Sequence, residues 1–589
     1  MLKHNAMKRN LLLAMMLTFA MLCGAQTPWN GTIADAYAGG DGTPENPFQI
    51  ATAEQLAFLA QQTNNGTGGD AYYILTSDII LNDGDSLLWT PIGNIGAFTG
   101  VFDGNDHIIS GLYENGNKIS GLFASTENAT IKNTNIENAT VLEYEQAYVY
   151  SAIGGLLVGV ANNTNILDCA VDGYLEICST VASGGFAGLY NVDIDEYDTV
   201  YIKNCVNNAE VVENLRIGGM VGHTNVSSGN LVLDNCTNNA NLTSFGFCGG
   251  MIGDGEFIIR NCHNYGEIYA GDCGGGMVGQ GGDFGTIINC LNHQTGKIKG
   301  EVAGGIIGTA IFTVMSCCGN EALITGYGDS EFDDELLVGG ISGADGTIYN
   351  CYNRGDLTAV FNTGNPLLVQ IGGIASTPPS DGQVRNVYNT GTIIKPSNPN
   401  IPSALYSHIV PATLSDTLLG NCYWIGNETI SPYIYNIETS SWVLIPSSSA
   451  FNQGATATSW VLDEAQYGTN DLLEALNAGA MGQCVWVEDV EGINGGLPIP
   501  RWVSYDEVQE HRTADIMVYP NPSQGTINVE LPLARSLQSS NGYRIFNLLG
   551  QTVQSGRFNG EYQQVDVSGL SAGMYFITIG DATVKFMKR

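Results

Sequence analysis

The stretch GGMIGDGEFIIRNCHNYGEIYA, residues 249–270, contains the three phrases that decide the fold. The first, Gly-Gly-apolar-small-Gly, recurs at steps of 26 to 35 residues along the chain. Its copies begin at Gly154, Gly184, Gly218, Gly249, Gly275, Gly304, Gly339 and Gly372. Self-similarity at such a period is the signature of a stacked repeat architecture.

Each copy is followed by a second phrase, apolar-x-Asn-Cys-x-Asn, and then by a short apolar alternation after Gly or Ala. Clear copies of the second phrase begin at Ile202, Leu233, Ile259, Ile287 and Ile348. Three short strand-like segments per coil, bounded by Gly or Asn, fit a three-sided solenoid, whereas helical repeats need a 3.6-residue period and few glycines. We therefore predict an all-β chain whose residues 119–430 form a right-handed parallel β-helix of about ten coils, at ~4.8 Å per coil.

The recurring Asn and Cys should form columns, because stacked coils place equivalent residues on neighbouring strands. Asn tolerates a left-handed backbone and its amide can bond to the next coil, so we expect a bend at this position. The predicted cysteine column contains Cys169, Cys205, Cys236, Cys262, Cys290, Cys317, Cys351 and Cys422. We expect these side chains to be reduced and buried as small hydrophobes, with disulfides between coils as the alternative. A metal site is disfavoured, since one ligand per coil cannot gather four around one ion.

The charge of the chain is unevenly distributed. Residues 26–515 carry 12 Lys or Arg and 54 Asp or Glu, a net charge of −42, whereas residues 516–589 carry six and four. Such an acidic body excludes nucleic acid and anionic lipid as partners, which need clustered Lys and Arg. The acidity favours solubility outside the cell. Ca²⁺ binding by acidic loops is the alternative, and no other cofactor is predicted.

The chain begins with the features of a secretory signal peptide over residues 1–25. Three basic residues precede the apolar run from Leu11 to Leu22, and Ala25 offers a cleavage point. The run is too short to span a bilayer, and no later stretch approaches 18 consecutive apolar residues, so no membrane-spanning segment is predicted. A lipoprotein signal at Cys23 is a weaker alternative, because bulky residues precede that Cys.

Two short amphipathic helices flank the repeats and are expected to cover the ends of the solenoid. One is predicted over Thr52 to Asn64 and the other over Asp471 to Ala480. The predicted domains are an N-terminal cap with the first coils (26–118), the repeats (119–430), a C-terminal cap (431–505), a linker (506–515) and a tail (516–589).

Residues 40–505 resemble bacterial surface proteins with GLUG repeats, whose Gly-apolar-x-Gly motif is present here as GGMVG and GGIIG. The opening GGDGTPENPFQIATAEQLAFLA and the closing NGGLPIPRW look like the flanks of that family. The resemblance implies an exported protein with an adhesive or interaction role toward an unknown extracellular glycan or protein.

The tail resembles the type A C-terminal sorting domain of type IX secretion. The resemblance rests on IMVYPNPSQGTINVEL from Ile516, YRIFNLLGQTVQSG from Tyr543, VDVSGLSAGMYFITI from Val565 and the terminal KFMKR. The residues that match the signature are Tyr519, Pro520, Asn521, Pro522, Gly573, Tyr575, Lys585 and Lys588. We expect a turn from Gly573 to Tyr575 within a small Ig-like β-sandwich. The resemblance implies that type IX machinery exports the chain through the periplasm, so that it is secreted or held at the surface of a Gram-negative bacterium.

A non-catalytic protein is predicted, with a β-helix polysaccharide lyase or glycoside hydrolase as the alternative. A lyase needs a base beside Ca²⁺ ligands, and a hydrolase needs paired carboxylates. The cationic residues of the coils do not recur in equivalent places: Lys203, Arg216, Arg260, Lys297, Lys299, Arg354, Arg385 and Lys395. The acidic clusters at 193–198 and 331–335 lie in apparent loops, so we interpret them as solvated charge or Ca²⁺ ligands and predict no catalytic residue.

Aromatic residues recur at outward positions in several copies, namely Tyr265, Tyr352, Tyr388 and Tyr423. A flat apolar ring with a polar edge suits stacking on sugar rings, which makes these residues candidate glycan contacts. Surface Tyr on a strand, without a ligand, is the simpler interpretation.

Overall fold

The computed structural model describes residues 27–394, apart from 85, 144–151, 178–180, 196–197, 214, 329–334, 362–367 and 378–381, together with shorter stretches between 404 and 588. The predicted signal peptide lies outside the described residues. The chain divides into two compact units: Met1–Met481 with Trp486–Pro500, and Gly482–Val485 with Arg501–Arg589. The first unit is a parallel β-solenoid, and the second contains the antiparallel sheets of the tail.

One ladder of ten parallel strands, here called the glycine ladder, runs through the coils that contain the Gly-Gly phrase. Its strands are Ile119–Ser120, Ile153–Gly155, Ala182–Gly184, Arg216–Gly218, Phe247–Gly249, Cys273–Gly275, Val302–Gly304, Glu335–Gly339, Leu368–Gly372 and Ala404–Ser407. Each strand pairs in parallel with its equivalent in the next coil, as Cys248 does with Gly274. The ten strands confirm the predicted parallel β-helix of about ten coils.

A connected set of 38 strands forms the other faces of the solenoid. The strands after the Gly-Gly turn are Phe123–Glu127, Val158–Asn162, Ala187–Asp193, Val221–Ser228, Ile307–Thr309 and Ser342–Ala344. Those before the Asn-Cys bend are Phe48–Ile50, Tyr72–Leu75, Val101–Asp103, Thr130–Lys132, Asn165–Leu167, Thr199–Lys203, Asn230–Asp234, Thr313–Ser316 and Thr347–Tyr349. In two coils one strand spans both positions, Ile252–Arg260 and Val278–Ile288.

Two further short strands follow the bend in most coils. The first of them are Ile79–Ile80, Ile108–Ser110, Val206–Asn207, Thr237–Asn238, His263–Asn264, Leu291–Asn292, Gly319–Asn320 and Tyr352–Asn353. The second are Tyr113–Asn115, Glu210–Glu213, Leu242–Ser244, Ile268–Tyr269, Ile298–Gly300, Ile324–Gly328, Leu357–Phe361 and Ile393–Ile394. Longer strands that span two positions, or that end the stack, are Asn135–Glu143, Ala170–Ile177, Val384–Asn389, Leu419–Ile425 and Val461–Leu462.

The Gly-Gly phrase recurs because neighbouring segments occupy the space where both side chains would lie. A Cβ atom on Gly250 would lie 2.7 Å from Asn264 Oδ1, closer than real Cβ atoms approach. A Cβ atom on Gly249 would overlap the carbonyl oxygen of Ile252 across the tight turn. The contact between the second Gly and the last Asn of the following phrase recurs in other coils. The two phrases therefore depend on each other through close packing.

The last Asn of the second phrase forms a buried column, here called the inner amide column. Its members are Asn207, Asn238, Asn264, Asn292, Asn320, Asn353 and Asn389. In each of the first six members Nδ2 donates to Oδ1 of the next member over 2.7–2.8 Å, so these six donors point toward the C-terminal coils. Asn264 Nδ2 also donates to the carbonyl of Gly266 at 3.0 Å, and most other members bond their own coil in the same way. These bonds satisfy the buried amides, which is the condition for burying them at low cost.

The first Asn of the phrase lies at the predicted bend. The residues of this bend column are Asp168, Asn204, Asn235, Asn261, Asn289, Cys317, Asn350 and Asn386, all with φ between 53° and 57°. Where a side-chain amide joins two members of this column, it points the opposite way to the inner column: Asn204 Nδ2 donates to Asp168 Oδ1 at 2.8 Å, and Asn289 Nδ2 donates to Asn261 Oδ1 at 2.8 Å. The left-handed bend and the bonding between coils are confirmed.

The cysteine column is buried, as predicted, but one member was wrongly assigned. Met315 and Ser316 pair with Ile287 and Ile288, so Cys318 aligns with Cys290, and Cys317 falls in the bend column. The members are Cys169, Cys205, Cys236, Cys262, Cys290, Cys318, Cys351 and Cys422, all reduced thiols. Cys317 is disulfide-bonded, as is Cys484. Because Cys317 and Cys318 are adjacent, the sequence allows either of them to align with Cys290, and only the register of the strands shows which one does.

The predicted N-terminal helix is present as α1, Ala53–Asn64. Thr52 caps it by accepting a hydrogen bond from the backbone N–H of Gln55, and Leu56 and Leu59 bury against the first coils. Of the second predicted helix only parts are described; residues 472–473 and 476–477 are helical. Among the helices of the described residues, none combines the length and apolarity needed to cross a bilayer.

Beyond the solenoid, all described strand pairs are in small sheets. Tyr433–Asn436 pairs antiparallel with Ser441–Leu444, and Cys484–Val487 shares a sheet with Ile499–Trp502. The tail has one sheet of Met517–Tyr519, Thr526–Glu530 and Tyr562–Asp566, and another of Asn541–Asn547, Thr552–Phe558, Gly573–Ile579 and Ala582–Lys588. Both sheets contribute to one core that includes Ile527, Ile545 and Ile577, which confirms the predicted small β-sandwich.

Candidate functional site

Three of the four tyrosines predicted to contact a glycan are buried under the C-terminal segment of the solenoid unit. Tyr352, Tyr388 and Tyr423 are at most 6% exposed and pack against side chains from residues 472–486. The Tyr388 hydroxyl donates to the carbonyl of Pro498 at 2.7 Å. The expectation that these rings face solvent was wrong, because the capping segment covers the outward side of the last coils.

Tyr265 remains 41% exposed, but one face of its ring is already occupied. His293 of the next coil lies parallel to it, with ring centroids 3.8 Å apart and an interplanar angle of 9°. His293 Nε2 lies in turn 3.0 Å from His263 Nδ1, a hydrogen bond between the two imidazoles. Since the rings stack along the solenoid axis, this arrangement does not form the open platform that a sugar ring needs.

Both imidazoles are held in their neutral form. Burial lowers the pKa of His263, and burial together with His263 lowers the pKa of His293 to about 4. In a neutral pair one ring donates and the other accepts, which matches the contact between the facing nitrogens. Two nitrogens supply only half of a tetrahedral metal site.

Glu321 lies one coil beyond His293 on the same face, because Asn320 and Asn292 pair directly. Burial raises the pKa of Glu321, and the Tyr352 hydroxyl, which donates to it at 3.3 Å, and nearby Arg354 offset part of that rise. A carboxyl group with a raised pKa is one element of acid–base chemistry. The nearby carboxylate of Asp489 is occupied in its own loop, where it accepts hydrogen bonds from backbone N–H groups.

A second charged cluster joins adjacent coils next to the glycine ladder. Arg216 Nε and His223 Nδ1 lie 2.8 and 3.3 Å from Asp254 Oδ2 in the next coil. Burial alone would raise the pKa of Asp254, but its bonds to His223 and Arg216 outweigh burial and hold that pKa below its usual value. Asp234 is held in a similar way by Arg260 at 3.1 Å. These charges link coils to each other.

The acidic clusters singled out in the sequence are only partly described. Asp193 ends a strand, and Asp195 and Asp198 lie in the connection after it, whereas Glu196 and residues 331–334 are outside the described residues. Within the part of the chain that the structure describes, no group of three or more His, Cys, Asp or Glu could hold a metal ion. Ca²⁺ binding by these loops stays a prediction.

The sorting-signature residues lie at strand positions of the tail where they are described. Tyr519 ends Met517–Tyr519, Lys585 and Lys588 lie on the last strand, and Pro520, Asn521 and Pro522 are outside the described residues. The turn predicted from Gly573 to Tyr575 was wrong: these residues begin a strand that pairs with residues 586–588, and the turn comes earlier, at 568–570. The apolar alternation extends back to Gly573, so the Gly of the Ala-Gly step begins the strand and does not form a turn within it.

Comparison with known proteins identifies the tail. Residues 517–589 match the family model described as a secretion system C-terminal sorting domain. Two curated proteins are similar over parts of the chain. Halomucin of Haloquadratum walsbyi is 28% identical over 214 residues, 34% of this chain and 2% of its own length. A protein of Evansella cellulosilytica named "Putative Gly-rich membrane protein" is 32% identical over 141 residues, 23% of this chain and 16% of its own length.

Among solved structures, one described as "a putative immunoglobulin A1 protease from Bacteroides ovatus" is similar to this chain. The TM-score is 0.38 at 22% identity, and the match covers 45% of this chain and 80% of that one. At this level the similarity carries nothing about activity. The sorting domain, in contrast, indicates that the chain is exported through type IX secretion.

Proposed function

We propose that the exported chain acts outside the cell as a non-catalytic scaffold, secreted or held at the cell surface, that binds a glycan or protein partner. The observation that carries the export step is the sorting domain at residues 517–589. The tail has its own apolar core, with Ile527, Ile545 and Ile577 fully buried, so it can fold and be removed as a unit. In the same proposal the solenoid, residues 40–505, is of the GLUG type.

The charged groups of the coils support a scaffold more than a catalyst. Three cationic residues that a lyase could use as a base, Lys203, Arg216 and Arg260, are each within 3.5 Å of an Asp carboxylate on a neighbouring coil. A base must be available to the substrate proton, which these paired groups are not. Their arrangement favours a structural role in joining coils.

Export is tested by deletion of residues 516–589 in the native host. We expect the folded body to accumulate in the periplasm, while a reporter fused to residues 506–589 reaches the surface. The reporter fused to residues 506–515 alone is the control. Surface display of the truncated body at normal levels would overturn the export step.

The absence of catalysis is tested with the purified full chain and a panel of acidic and neutral polysaccharides. We expect no reducing ends and no unsaturated products above the background of a heat-denatured sample. If products are released and Glu321→Gln abolishes their release, the protein is an enzyme and the scaffold proposal is wrong. Glu321 is chosen for this substitution because it lies near the solenoid surface and burial raises the pKa of its carboxyl group.

A further inference from the structure

A cleft of about 800 Å³ opens on the side of the solenoid, between the strands that follow the Gly-Gly turns and those that lead into the Asn-Cys bends. Four successive coils line it, with residues 226–231, 256–258, 285–286, and Phe312 with Val314. The cleft arises because the coils differ in connection length. Nine positions separate His223 from Val232, but only four separate their partners Asp254 and Ile258 in the next coil. The short connection forms the floor of the cleft, and the longer neighbours form its walls.

The walls of the cleft expose an unusual amount of apolar side chain. Phe312 and Val314, which line the cleft, are 64% and 37% exposed, and Ile311, which precedes Phe312 in the chain, is 40% exposed. Phe257 is buried at the floor. Contiguous exposed apolar groups mark interaction sites, whereas scattered ones are ordinary.

The backbone of Phe312 adds a second observation. Its φ is 48°, in the left-handed region that bulky residues rarely adopt. Such conformations persist where the surrounding structure imposes them, and they concentrate at ligand-binding and switch positions. An exposed aromatic ring on this backbone contributes little to the packing of its own coil, so the ring is available to a partner.

The cleft also carries uncompensated negative charge. Glu256 lines it, and Asp283 lies two residues before Gly285 in its wall. Neither carboxylate makes an ion pair within the described residues. Because residues 26–515 carry a net charge of −42, the surrounding field also attracts cations.

We propose that this cleft binds an extended segment of a partner protein in which a bulky apolar side chain lies next to Lys or Arg. The apolar side chain packs against Phe312 and Val314, above the floor that the buried Phe257 forms, and the cation pairs with Glu256. Such a segment uses both features of the cleft, whereas a neutral glycan uses only the exposed ring. The inference rests on the proposed scaffold function and assigns its site and the chemistry of its partner.

The test is fluorescence anisotropy with the purified full chain and a labelled peptide whose core is Lys-Leu-Phe-Lys. We expect Phe312→Asn to weaken binding at least about thirtyfold, the effect of losing an interface hot spot. Asn is chosen because it accepts a left-handed backbone. Glu256→Gln should weaken binding up to about fivefold and reduce its salt dependence. The matched control is Phe245→Asn, since Phe245 is 69% exposed on a different connection and should leave the affinity unchanged.

The inference would be overturned by equal binding of a peptide with Glu in place of Lys, by unchanged affinity in Phe312→Asn, or by no binding tighter than about 1 mM. Displacement of the peptide by a neutral oligosaccharide would also overturn it. Val314→Ser serves as a second variant if Phe312→Asn melts at a lower temperature than the native chain. The peptide assay does not depend on export, so a negative result in it leaves the proposed scaffold function intact. Cleavage of a polysaccharide by the purified chain would contradict the scaffold function, whether or not the peptide binds.

Discussion

The inner amide column and the bend column arise from the same phrase, Asn-Cys-x-Asn, but place opposite demands on their asparagines. At the bend the backbone is left-handed, and Asp168 and Cys317 also occupy that position. In the inner column, Asn is present in seven successive coils, buried and bonded in both directions along the solenoid. The bend thus selects a backbone conformation that other residues can adopt, whereas the inner column selects a side chain. Recurrence of one residue type does not by itself reveal which of these is required.

The largest effect is expected from Asn264→Ala in the inner column. The substitution removes the donor to Asn292 Oδ1 and Gly266 O and the acceptor of Asn238 Nδ2. Each buried polar group left unsatisfied costs about 1–3 kcal/mol, so we expect the free energy of unfolding to fall by about 4 kcal/mol. Denaturant titration measures this change. A loss below about 1 kcal/mol would show that the column is not selected for its side chains.

The next test uses the contact between the two recurring phrases. Gly250→Ala alone should destabilise the chain by about 2 kcal/mol, because the new methyl group meets Asn264 Oδ1 and nearby backbone. In the double variant with Asn264→Ala, the loss of unfolding free energy should be smaller than the sum of the two single losses by about 1 kcal/mol, because Asn264 Oδ1, one of the clashing atoms, is absent. Gly250→Ala with Asn261→Ala is the control pair and should be closer to additive. If both pairs of substitutions were equally additive, the Gly-Gly phrase and the Asn-Cys-x-Asn phrase would not depend on each other through this contact.

A pH titration sharpens the contrast between neutral and ionisable buried groups. Glu114 is fully buried in an early coil, where Asn117 Nδ2 and the N–H of Gly121 donate to its carboxyl group at 2.8 Å. Burial raises the pKa of Glu114 from 4.5 to about 8, with the two hydrogen bonds offsetting part of the rise. A pKa raised on folding stabilises the protein below the unfolded value, and that stability is lost as the pH rises through the folded value.

From pH 6 to pH 8 the free energy of unfolding should therefore fall by about 2 kcal/mol, and in Glu114→Gln this part of the fall should disappear. Thermal melting at a series of pH values measures both. Asn264 carries no titrating group, so Asn264→Ala should keep the native pH dependence. A flat profile in the native chain would contradict the burial of an ionisable Glu114.

The smallest effect is expected at the bend, from Asn261→Ala. Asn261 Nδ2 donates to Asp234 Oδ1 at 2.8 Å. Because Asn261 is half-buried, water can replace most of this bond, and the main remaining cost is the left-handed backbone, about 1 kcal/mol. Asn261→Gly should cost less than Asn261→Ala, because Gly adopts this conformation freely. Denaturant midpoints of the two variants give the comparison. If Asn261→Ala lowered the free energy of unfolding as much as Asn264→Ala, the proposed distinction between the two columns would be wrong.

The sequence predicts four features of the fold: the three-sided coil, the number of coils, the bend at the first Asn and the small β-sandwich of the tail. Each of them depends on a local period or on the backbone preference of one residue. The inner amide column could not be assigned from sequence, although Asn264 is part of a phrase that was recognised. Its role depends on the distance between that Asn and Gly250, and this packing appears only when the coil closes. One signal was available: the second Gly and the last Asn recur together through seven coils.

The candidate binding site was the least predictable part. Tyr352 and Tyr388 do face outward, as their strand positions indicate, but a segment about 100 residues later in the chain covers them. No local pattern predicts which face a distant segment will cover. The cleft at Phe312 was missed for a related reason, since it results from the difference in length between neighbouring connections, and no single repeat contains that information.

The opposite directions of the two amide columns have an electrostatic consequence. Each carboxamide has a dipole, and dipoles aligned in a row add, as peptide dipoles do in a helix. The Nδ2 atoms that join members of the inner column point toward the C-terminal coils, while those that join members of the bend column point toward the N-terminal coils. The two rows run antiparallel, so their fields oppose each other beyond the distance between them. Where the two rows end in the same coils, the partial positive charge of one row therefore lies beside the partial negative charge of the other, and the two partly cancel.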